Sequence, residues 1–60
     1  MRTITLPNNG TYTVINKELH FLDFFSKEWE AFNKDYEFIL TKEEKQNLKN
    51  YLGNFEINKN

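Results

Sequence analysis

The sequence predicts an α+β fold, with an N-terminal antiparallel β-hairpin packed on two helices in one small domain. Three observations lead there. Residues 2–15 alternate apolar and polar side chains about an Asn-Gly pair, the pattern of a hairpin. From residue 22 the spacing of large apolar side chains changes to three and four, the period of a helix. Residues 41–44 then spell a helix-capping box.

Residues 2–6, Arg-Thr-Ile-Thr-Leu, are β-branched at three consecutive positions and place Ile4 and Leu6 on one face. Pro7, Asn8, Asn9 and Gly10 supply the turn, Asn and Gly tolerating the positive φ that a tight reversal needs. Residues 11–15 return as the second strand, with Tyr12 and Val14 on one face. Asn16 and Lys17 make a weaker turn signal. Residues 18–21 therefore read either as a short third strand or as a lead-in to the first helix.

That helix is predicted over residues 22–34. Leu22, Phe25, Trp29, Phe32 and Tyr36 fall within an arc of about 80° at 100° per residue, and Asp23 and Ser26 are both candidate N-caps. Phe24 lies off the arc, with Glu28 and Asp35 projecting beside it. The pattern breaks near Asp35, leaving residues 36–40 as helix continuation or extended linker. The second helix spans residues 42–52. Thr41 and Glu44 box its start, Leu48, Tyr51 and Leu52 form its apolar stripe, and Gly53 stops it. Phe55 and Ile57 alternate as a closing segment or added edge strand, and residues 58–60 should fray.

Sixty residues can hold one domain at most, and a chain of that size buries only about 60% of its unfolded surface. The chain has no cysteine and one histidine, so neither a disulfide nor a thiolate zinc site can add stability. Aromatic residues, 17% of the chain, must carry the core. A signal-peptide h-region and a membrane-length apolar run are both missing from the sequence, so the cytoplasm is the expected compartment and a membrane is not an expected partner.

Catalysis is not expected. His20 and Ser26 fall on different predicted elements and no nucleophile elbow is present; the carboxylates read as solubilising or capping groups. His20 and Asp23 would be two ligands where a metal needs more, and the two glycines form no phosphate-binding loop. No cofactor is expected. A formal net charge of −1 with a single arginine argues against a duplex nucleic-acid partner.

The expected function is therefore binding to another protein, as an interaction module, accessory factor or inhibitor, the partner being a foreign protein or a second copy in a homodimer. Its candidate contacts are Phe24, Trp29 and Phe38, with Glu28 and Asp35 beside them. Residues 22–40 carry five acids against two bases, and residues 41–60 four lysines against three glutamates. One alternative is single-stranded nucleic-acid binding, with Tyr12, Phe21 and Tyr51 as stacking rings and Arg2, Lys17, Lys45 and Lys49 as cations; another is a small structural homo-oligomer.

Overall fold

The computed structural model describes residues 1–57. Among them, β1 (Thr3–Leu6), β2 (Gly10–Ile15), β3 (Glu18–Leu22) and β4 (Trp29–Ala31) form one antiparallel sheet in the order β1-β2-β3-β4. A 3₁₀-helix (Lys34–Ile39) and an α-helix, α1 (Lys42–Leu52), complete the fold. No described helix is long and apolar enough to cross a membrane. The expected fraying tail, residues 58–60, lies outside the described residues.

The first hairpin forms where the alternation places it. Ile4 pairs with Tyr12 and Leu6 with Gly10, while Gly10 itself sits at φ +88°. Residues 18–21 are indeed a strand, extended to Leu22, because Asn16 and Lys17 both adopt left-handed backbone (φ +52° and +67°). Two consecutive positive-φ residues match the right-handed twist of the strands they join. The reversal then sets Tyr12 opposite Phe21 and Val14 opposite Leu19.

Alternation sends these side chains to two faces. Leu6, Tyr12 and Leu19 are buried on one, joined by Phe32, Leu40 and Leu48, with Ile4, Val14, Phe21 and Leu52 packed around them. The Phe32 ring lies 5.8 Å from that of Tyr12 and 6.3 Å, edge-on, from that of Phe21. On the opposite face the register aligns Thr13, His20 and Ala31, and sets Leu22 against Trp29. Trp29 is thus turned away from the core.

The helix expected over residues 22–34 does not form. Its span contains the end of β3, a tight turn and β4. The cause is Asp23, whose carboxylate accepts from the Phe25 and Ser26 amides at 2.8 and 2.9 Å. The Lys27 amide donates to the Asp23 carbonyl, and the Asp23 amide to that of Glu28. The Lys27 bond is a single i→i−4 turn that goes no further: Lys27 takes left-handed backbone (φ +62°) and the chain reverses into a hairpin, with the Asp23 side chain competing for the amides a helix would use. Phe25, placed inward by the helical reading, is instead exposed.

Residues 34–39 are neither α-helix nor extended linker. Asn33 caps a 3₁₀-helix by accepting from the Asp35 amide, and Leu40 then drops into the core. Of two predicted α-helices only the second exists, and it begins and ends where its caps dictate. Thr41 accepts from the Glu44 amide at 3.0 Å, Glu44 accepts from the Thr41 amide at 2.9 Å, and Gly53 terminates α1 at φ +90°. α1 lies against β1 and β2 with Leu48 buried. Beyond it, Phe55 and Ile57 pack on the core edge while Glu56 bridges to Glu18, so the closing segment borders β3.

Candidate functional site

The turn between β3 and β4 sends its apolar side chains outward. Phe24 is 78% and Phe25 94% exposed, their rings perpendicular at 6.0 Å. The Lys27 ammonium sits 4.5 Å above the Phe24 ring. Half-buried Trp29 follows on the solvent-facing side of the sheet, paired with Leu22. The backbone beneath these rings is anchored by Asp23, with the Ser26 hydroxyl accepting from the Glu28 amide at 3.3 Å.

The surrounding charge is acidic. Asp23, Glu28 and Glu30 share this hairpin with Lys27. Amide donation from Ser26, then a hydrogen bond from the Glu30 side chain and another from the Phe25 amide, hold the Asp23 carboxyl below its ordinary value. The same contact raises Glu30, which keeps its proton more readily beside the Asp23 carboxylate.

The candidate contacts divide between two elements. Phe24, Glu28 and Trp29 belong to the β3–β4 hairpin, whereas Asp35 and Phe38 belong to the 3₁₀-helix, where Phe38 is 80% exposed. Phe25 was not among the expected contacts, because a helical period assigns it to the buried stripe. The legible warning was local: Asp and Ser three residues apart favour a turn as much as a cap.

The residues weighed for nucleic-acid contact scatter. Tyr12 is a correction: it is buried in the core and cannot stack on a base, and burial, followed by the nearby Glu44 charge, raises its hydroxyl pKa. Arg2 donates to the Tyr51 carbonyl and lies 5.6 Å over that ring, so these two occupy each other. Lys17, Lys45 and Lys49 do converge, on two adjoining depressions that share Phe55 and Glu56. Lys34 and Lys42 join them there. The spacing of Lys42, Lys45 and Lys49 at three and four residues was the available signal for that grouping.

Elsewhere, one ring nitrogen of His20 lies 3.0 Å from the Glu18 carbonyl, within its own strand. Among the described residues no group of three or more potential metal ligands converges. No family model, curated protein or solved structure matches this chain.

Proposed function

We propose that this chain is a non-catalytic, cytoplasmic protein-binding module whose β3–β4 turn inserts Phe24 and Phe25 into an apolar recess on another protein. One observation carries the reading: two adjacent, almost fully exposed phenylalanines stand on a turn whose backbone is already hydrogen-bonded. Exposed rings cost solvation, and a soluble fold gains nothing from them unless a partner covers them. Preorganisation matters as much as area, since a turn ordered in advance loses less entropy on docking. Trp29 extends the apolar surface along the sheet, and Asp23, Glu28 and Glu30 favour a recess rimmed by basic groups.

The test compares the wild-type chain with the Phe24→Ser/Phe25→Ser double variant as bait in the source cell, with circular dichroism as the folding control. A partner recovered by the wild type and lost by a folded variant supports the reading. Equal recovery by both, or no partner and a monomeric native mass for the wild type, overturns it. If the partner is a second copy, the wild type has a native mass above one chain and the variant does not.

A further inference from the structure

A second surface has the opposite sign. The 3₁₀-helix, α1 and the segment after Gly53 enclose an open groove of about 590 Å³. Lys34, Lys42, Lys45 and Lys49 line it, with Phe55 in its wall. The adjoining depression adds Lys17 and Asn54 on the other side of Phe55. Five of the eight basic residues of a chain with net charge −1 are gathered on this side.

Fold stability accounts for only part of this arrangement: Lys49 stands in the last turn of α1, where the helix dipole favours a cation. Lys42 opens α1, where the helix dipole favours an anion, not a cation. Lys45 and Lys49 are four apart on the same helix, a like-charge spacing that weakens helices. Glu37 relieves one of them, pairing with Lys45 at 3.2 Å, the one salt bridge among the described residues. Lys49 instead lies 5.6 Å over the Phe55 ring. Lys34, Lys42 and Lys49 have no carboxylate within salt-bridge reach among the described residues. Glu56 also lines the groove, which leaves it net positive with four lysines against two glutamates.

We infer that this groove is a binding site for a phosphate-rich ligand, its phosphates held by Lys34, Lys42 and Lys49. Ammonium groups on flexible stems suit such a ligand, because each can follow a phosphate oxygen without fixed bidentate geometry. Lys45 is a positioning residue, tying the 3₁₀-helix to α1 through Glu37.

Fluorescence anisotropy with a labelled eight-nucleotide oligothymidylate at low salt, competed by inorganic tripolyphosphate, tests the site. Binding should weaken at least tenfold in Lys42→Gln/Lys49→Gln, with circular dichroism confirming that the variant is folded. The log–log salt slope should be near −2, about −0.7 for each of three phosphates on a single strand. Phe24→Ser/Phe25→Ser should bind normally, separating this surface from the aromatic turn. Tripolyphosphate competing as well as unlabelled oligonucleotide would show that phosphate alone suffices. An oligonucleotide that binds much more tightly would show that bases add contacts. Absence of binding by either probe, equal binding by the lysine variant, or equal affinity for a polyglutamate peptide would overturn the inference.

Discussion

The first and last of the three hairpins of the sheet use the polar residues of their turns in opposite ways. In the β1–β2 hairpin, the Asn9 amide of the turn reaches across the molecule to Glu44 at 2.7 Å and to the Ile39 carbonyl at 3.4 Å. Its apolar side chains, Leu6 and Tyr12, go inward against α1. In the β3–β4 hairpin, Asp23 and Ser26 bond only to their own turn, and Phe24 and Phe25 go outward. The first turn is held by tertiary contact; the second is held locally and presents its side chains outward, although β3 itself contributes Leu19 to the core.

The sharpest way to break this contrast is through the core side. Leu48 is fully buried between α1 and the sheet, so Leu48→Ala leaves a cavity where Leu6 and Tyr12 meet it. Such truncations cost about 2–5 kcal/mol, a large share of the stability a domain this small can have. Urea titration should show either a much lower midpoint or no cooperative transition. A loss below about 1 kcal/mol would mean that α1 is not integral to the fold.

The cap of α1 gives a smaller effect. Thr41→Ala removes the oxygen that receives the Glu44 amide and should cost about 1 kcal/mol. Thermal melting monitored at 222 nm measures it, and Thr41→Ser should recover most of the loss.

Acid should act in opposite directions on neighbouring carboxyl groups before it unfolds the chain. Glu30, whose pKa is raised by Asp23, binds its proton more tightly in the folded state, so stability should rise slightly as pH falls through that raised value. Asp23 and Glu44 are lowered, the first chiefly by the Ser26 amide and the second by the Thr41 amide. Their contribution is present above the ordinary carboxylate value of about 4 and is lost as pH falls through their lowered values. Urea midpoints against pH should therefore show a shallow rise and then a fall. Glu30→Gln should abolish the rise and keep the fall.

The same contrast decides what could be read in the sequence. The first hairpin and α1 were legible because their determinants are adjacent in the chain: Asn9 and Gly10 at one turn, Thr41, Glu44 and Gly53 at the ends of one helix. β4 was not, because the helical arc through Leu22, Phe25, Trp29, Phe32 and Tyr36 assumes that all five rings and chains seek the same interior. Here only Phe32 does so fully, while Phe25 and Tyr36 are exposed and Trp29 faces the other side of the sheet. Exposed aromatic residues at these intervals imitate the periodicity of a core. Phe24 and Trp29 were visible as candidate contacts, but Phe25 was concealed by that imitation.

The smallest expected effect therefore separates the two hairpins most clearly. Phe24→Ser/Phe25→Ser removes two large apolar side chains from a chain with few to spare. In the β1–β2 hairpin a comparable loss, such as Tyr12→Ala, would be ruinous. At the β3–β4 turn both rings are already in water, and the backbone bonds to Asp23 do not involve them. The urea midpoint should shift by no more than about 0.5 kcal/mol equivalent, the range of neutral surface changes. Solubility should improve, since a sticky patch has gone. A loss of 2 kcal/mol or more, on the scale of about 2–5 kcal/mol seen for buried side chains, would show that Phe24 and Phe25 pack in solution. The contrast between an anchored turn and a presenting one would then collapse.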